Sequence, residues 1–214
     1  MKRLFLTSSV HAVAYDIVKR VDLAKGNKLV FIDTAAEVET GDKTWLKNDR
    51  NALVDAGFEV SDYTITGKKK TKLEKDLAKF AYIYLSGGNT SYLLQQSQKS
   101  GFVSLIKELI LEKGKIYIGT SAGSIITGPK IPLYLLEDNE NIKLSDTKGY
   151  GFVNFTILPH WGSVDFKEKY LSKRLNMVYK EDQVPLILLT DNQYVHIQND
   201  HMEIIDVTIR KSDK

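Results

Sequence analysis

Short apolar runs alternate along this chain with segments of helical spacing, and most of the runs stop at Ser, Thr or Gly. The runs Leu4–Leu6, Leu29–Ile32, Phe58–Ile65, Ala81–Leu85, Ile116–Ile118 and Phe155–Leu158 are rich in Ile, Val, Phe and Tyr, which suits buried strands. Between them, Trp45–Ala56, Leu73–Phe80, Thr90–Ser100 and Val103–Leu111 carry apolar residues at helical intervals among charges. A strand that feeds a helix and returns as a parallel neighbour needs a right-handed crossover. The alternation therefore predicts an α/β fold, a three-layer α/β/α sandwich with a mostly parallel sheet. The last third departs from it. "VPLILLTDNQYVHIQNDHMEIIDVTIR" holds an apolar run, a turn at Thr190-Asp191-Asn192, an alternating run over Tyr194–Ile197, a turn at Asn199-Asp200 and another strand. That predicts a C-terminal β-meander at one sheet edge.

At 214 residues the chain is read as one domain, 1–214, with no linker, repeat or low-complexity segment. It has no cysteine, which excludes disulfides, thiolate-held metal clusters and a thiol nucleophile. The net charge of +3 is small, and the one dense basic run, Gly67–Lys72, reads as a solvated loop or helix start. No nucleic-acid partner is expected. The apolar run near the N-terminus is too short for a secretory signal, and no window reaches the length of a membrane span. A cytoplasmic protein without membrane contact is expected.

In an open parallel sheet, chemistry collects at the carboxyl ends of the strands. Five strand ends run from apolar residues into small or polar ones: "LTSS", "IDTAAE", "YLSGGNTSYLL", "IGTSAGS" and "LPHWG". Gly119-Thr120-Ser121-Ala122-Gly123 fits G-x-S-x-G, the tight strand-to-helix turn that lifts a serine Oγ above the sheet. The turn also aims the Ala122 amide at a developing oxyanion. A phosphate-binding helix start is the competing reading. A serine hydroxyl needs a base. Of four histidines, His160 follows a buried strand directly, whereas His11, His196 and His201 read as surface or structural residues. The acids between Ser121 and His160 are Glu137, Asp138, Glu140 and Asp146, of which Glu137 and Asp138 follow an apolar run. The residues alone do not choose between those two. In "SGGNT", Gly88 allows a close backbone approach and a second oxyanion amide, with Asn89 beside it to meet substrate.

Taken together, "YLSGGNTSYLL", "IYIGTSAGSIITGP" and "ILPHW", in this order and at these separations, resemble the peptidase E family of aspartyl dipeptidases, the S51 serine peptidases. The resemblance runs from "LFLTSS" to "PLILLTDNQYVHI". It implies a flavodoxin-like fold similar to the class I glutamine amidotransferases, with serine in place of the elbow cysteine. It implies hydrolysis of dipeptides or short peptides with N-terminal Asp, without metal. No cofactor is expected, and the chain is read as a monomer or homodimer. Carried over by motif, Ser121 is the nucleophile, His160 the base, and Gly88 and Ala122 the oxyanion donors. Counting on from the "GP" after the elbow, Asp138 falls near the place of the triad acid. An aspartate side chain should need a cation, for which Arg174, with Lys173 and Lys167 nearby, is the candidate. Another acyl hydrolase on the same site, an esterase or a cyanophycinase-like enzyme, is the alternative, followed by a non-catalytic ligand-binding protein.

Overall fold

The computed structural model describes residues 2–136, 141–181 and 184–208, the side chains of Lys173, Lys180 and Glu181 excepted. Among the described residues nine strands run in chain order as β1 (Arg3–Thr7), β2 (Lys28–Ile32), β3 (Glu59–Tyr63), β4 (Tyr82–Leu85), β5 (Ile116–Thr120), β6 (Thr156–Leu158), β7 (Leu186–Leu188), β8 (Gln193–Gln198) and β9 (His201–Asp206). The helices are α1 (Val10–Val18), α2 (Thr44–Asp55), α3 (Lys70–Leu77), α4 (Thr90–Ser100), α5 (Phe102–Lys107), α6 (Ala122–Ile125), α7 (Val164–Lys169) and α8 (Leu175–Glu181).

Seven strands form one sheet in the order β3-β2-β4-β5-β1-β8-β9. The pairings from β3 to β1 are all parallel, while β8 joins β1, and β9 joins β8, antiparallel. Side chains alternate between the two faces, as a period of two requires. Leu4, Leu6, Val30, Ile32, Ile83, Leu85 and Tyr117 enter one apolar cluster, with helices α3 to α6 around it. Phe5, Leu29, Phe31, Tyr82, Tyr84 and Ile118 enter the other, under α1 and α2. The two covered faces are the sandwich that the alternation predicts.

Two expectations need correction. The meander does not form as a three-stranded unit, because Leu186–Leu188 leaves it to pair in parallel with β6 in a separate two-stranded sheet. Only β8 and β9 make the edge hairpin. For the same reason His160 is delivered from that small sheet and not from the rim of the large one. The helix expected over Val103–Leu111 is α5 followed by a π-helical turn, Glu108–Glu112.

Candidate active site

The elbow forms where β5 hands over to α6. Ser121 takes φ 49° and ψ −107°, a left-handed backbone that a non-glycine residue adopts only when its surroundings impose it. Those surroundings are visible. The Ser121 amide donates to Thr7 O at 3.1 Å, and its carbonyl accepts from the Ser124 and Ile125 amides at 2.9 Å each. Ser124 Oγ ties Thr7 O and Gly119 O together at 2.7 and 2.8 Å. The motif glycines are there for space: a Cβ on Gly119 would lie 2.5 Å from Gly123 O, and one on Gly123 would lie 2.2 Å from Leu85 O.

His160 meets this serine from the β6 end. Its Nε2 lies 3.1 Å from Ser121 Oγ and its Nδ1 lies 2.7 Å from Asp191 Oδ1. Like Ser121, His160 has a left-handed backbone, with φ 60°. Three contacts hold it. Its amide donates to Ser8 Oγ at 2.7 Å, its ring stacks on Phe166 with centroids 4.3 Å apart, and Tyr170 OH donates to the preceding carbonyl, Pro159 O. Ser8 Oγ in turn donates to Asp191 Oδ1 at 2.6 Å. The hydrogen bond from His160, reinforced by that from Ser8, holds the Asp191 carboxyl below the usual carboxylate range against the opposing effect of burial. An ionised acid that accepts from Nδ1 leaves Nε2 as the basic nitrogen, facing the serine.

The acid behind His160 is thus Asp191, and sequence reasoning missed it by searching only between Ser121 and His160. Asp138 and Glu137 lie outside the described residues, and Asp146 is exposed and accepts from Lys148 N and Gln98. The usable signal was a second apolar run, β7, ending in Thr-Asp. Because Leu158 and Leu188 are parallel partners, the residues that follow each strand come out side by side. The Trp161 amide donates to Leu189 O at 2.9 Å across this junction. Ser8, in the "LTSS" strand end, was likewise given no role.

The other candidates divide. The β4–α4 loop passes against the serine: a Cβ on Gly87 would lie 3.3 Å from Ser121 Cβ. Gly88 has φ 121°, and a Cβ there would meet Ala35 O at 2.3 Å, so no other residue fits without moving backbone. Ala122 is the first residue of α6, where an amide has no acceptor within its own helix. Gly88 is thus the neighbour of the glycine that touches Ser121, and Ala122 is the residue after Ser121. Asn89 Oδ1 is occupied as the cap of α4, accepting from Tyr92 N at 2.8 Å. Arg174 is not brought to the serine by any described contact. It is buried with its guanidinium 5.1 Å from the Tyr170 ring centroid, and its Nε has no hydrogen-bond partner. Lys167 is exposed on the outer side of α7, and the side chain of Lys173 lies outside the described residues. Among the described residues, no group of three or more His, Asp or Glu could hold a metal ion, and no helix is long and apolar enough to cross a membrane.

Comparison with known proteins points to a peptidase. The model of peptidase family S51 matches residues 4–205. An uncharacterized peptidase of Listeria monocytogenes is 35% identical over 78% of this chain and 82% of its own. A Drosophila melanogaster protein named as an alpha-aspartyl dipeptidase is 26% identical over 71% of this chain and 62% of its own. A solved structure assigned to peptidase E, from Listeria monocytogenes EGD-e, superposes with TM-score 0.85 and 29% identity, covering 97% of this chain and 99% of that one.

Proposed function

This chain belongs to peptidase family S51 and is a serine-type peptidase, and we propose that it works through Ser121, His160 and Asp191. The observation that carries the proposal is one imidazole placed between a serine hydroxyl at 3.1 Å and a carboxylate at 2.7 Å. In the first half-reaction His160 Nε2 accepts the Ser121 proton as Oγ attacks the scissile carbonyl carbon. Asp191 fixes the tautomer and stabilises the imidazolium. The Gly88 and Ala122 amides donate to the tetrahedral oxyanion. His160 then protonates the leaving amine, the C–N bond breaks, and an acyl-Ser121 ester remains. In the second half, water gives its proton to His160 and its oxygen to the acyl carbon. Collapse returns the proton to Ser121 Oγ and releases the acid.

For substrate, dipeptides or short peptides with N-terminal Asp are the best-supported class, since named relatives are a peptidase E and an alpha-aspartyl dipeptidase. The fold reading is of the same kind: β3-β2-β4-β5 follows the doubly wound order 2-1-3-4, with β1 in fifth place. That order supports a likeness to the class I glutamine amidotransferases. The chain is read as one domain acting as a monomer or homodimer on a small cytoplasmic peptide. The test is a panel of Asp-X, other X-X and isoaspartyl dipeptides and simple esters, with wild type and Ser121→Ala. Hydrolysis confined to Asp-X and lost in Ser121→Ala is expected. Faster cleavage of esters than of any peptide would favour the alternative, a general acyl hydrolase.

A further inference from the structure

Among the described residues three histidines lie against carboxylates, and the proposed relay uses one of them. Another, His11, stands at the start of α1, three residues beyond Ser8. Its Nδ1 is 2.8 Å from Ser9 Oγ and 3.3 Å from Asp49 Oδ1, and its amide donates to the same Asp49 oxygen. Asp49, from α2, is only 2% exposed, and Tyr84 OH donates to its second oxygen at 2.8 Å. A buried carboxylate thus grips the Nδ1 side of the ring, while 46% of the His11 side chain is exposed. The opposite edge, Nε2, is the one a ligand can meet.

Geometry ties this ring to the residues behind the relay: Ser9, which meets His11 Nδ1, follows Ser8, whose Oγ accepts from the His160 amide and donates to Asp191 Oδ1. The charges of His11 and Asp191 act on each other in the same sense. The hydrogen bond from Asp49 raises the His11 pKa in spite of burial, and Asp191 adds to the rise, while His11 helps to hold Asp191 down. Trp45 lies one turn before Asp49, the partner of His11, on α2. Its ring comes within 3.6 Å of a Cβ position on Gly87 that is itself 3.3 Å from Ser121 Cβ. Trp45 thus reaches the loop that touches the nucleophile, while His11, at the start of α1, is joined through Ser9 and Ser8 to the residues that hold His160. The cation expected from sequence, Arg174, packs against Tyr170, whose hydroxyl donates to Pro159 O next to His160.

We propose that His11 is a specificity-determining residue that receives a carboxylate of the bound peptide. This rests on Ser121 being the nucleophile. The carboxylate has two sources in such a substrate, an acidic N-terminal side chain or the free C-terminus. Measuring kcat/KM for Asp-Leu, Asn-Leu and Asp-Leu amide separates them, in wild type, His11→Gln and His11→Lys. The ratio of Asp-Leu to one neutral counterpart is expected to fall about tenfold in His11→Gln, as loss of one charged hydrogen bond implies. It should recover in part in His11→Lys. A fall against Asn-Leu assigns the side chain, and a fall against the amide assigns the C-terminus. An equal loss on all three substrates overturns the proposal.

The groups facing His11 are Ser9 before α1, Asp49 from α2, with Tyr84 of β4 behind it, and Asp191 after β7. The substrate ratio cancels the ionisation of His160 and Asp191. In wild type it should therefore fall as rising pH discharges His11. Binding gives a readout independent of turnover. When Ser121→Ala is titrated with Asp-Leu, the NMR signals of the His11 ring should move and its pKa should rise. Saturable binding with an unmoved His11 ring, or no binding, overturns the proposal. A moved ring with no hydrolysis by wild type would instead overturn the relay alone.

Discussion

His160 and His196 are both held through Nδ1 by a carboxylate, at 2.7 Å from Asp191 and 3.0 Å from Glu203, yet they can do different things. His196 lies in β8, within regular strand backbone, stacked on Phe5 with ring centroids 4.7 Å apart. Its Nε2 is buried without a hydrogen-bond partner, and burial above all pushes its pKa down. His160 sits on a strained left-handed turn with Nε2 facing a hydroxyl that is itself on a strained turn. Regular structure hides the second ring nitrogen, and strain exposes it. A histidine–carboxylate pair is therefore no catalyst by itself; what meets Nε2 decides.

The contrast breaks most visibly at the serine. Ser121→Ala should lower kcat by roughly 10⁴ to 10⁶ with the circular dichroism spectrum unchanged, since removing the nucleophile forfeits the whole covalent route. Asp191→Asn should cost about 10⁴ in kcat, because an amide can hold the wrong tautomer. Glu203→Gln, the matching change on the other pair, should leave the rate within about twofold, since Glu203 is on the edge strand. Equal effects from the two acids would erase the distinction. Next in size is Gly88→Ala, whose Cβ would meet Ala35 O at 2.3 Å. Displacing that amide should cost roughly 10² to 10³ in kcat, the worth of one oxyanion donor, with KM less affected.

The smallest expected effect is on stability. The folded protein holds His196 below its ordinary pKa of 6.5. Its neutral form is favoured in the fold, so this contribution is present above about pH 6.5 and is lost as pH falls toward the folded value. Melting followed from pH 8 to pH 5 should show less acid-side loss in His196→Gln than in wild type. An identical pH dependence would mean that His196 does not titrate on unfolding.

The sequence carried the elbow and the sheet because both are steric statements. Gly119 and Gly123 are needed where backbone passes backbone, and alternate residues of Leu4–Leu6 and Leu29–Ile32 serve opposite faces. His160 was legible for a similar reason, as a polar residue directly after a buried strand. Asp191 was not. Its position depends on β7 lying parallel to β6, a contact between residues about thirty apart, while Thr190-Asp191-Asn192 reads locally as any hairpin turn. The surroundings of Arg174 were not legible, because helical spacing says which face a residue is on but not what the face packs against. His11 read as a surface residue because its partner, Asp49, comes from a different helix.

The most direct measurement is the rate at which a serine-directed fluorophosphonate labels the protein, with the adduct located by mass spectrometry. The adduct should sit on Ser121, form at the wild-type rate in Glu203→Gln, slow by orders of magnitude in Asp191→Asn and vanish in His160→Gln. An adduct on another residue, or wild-type labelling in Asp191→Asn, would contradict a nucleophile activated by His160 and Asp191.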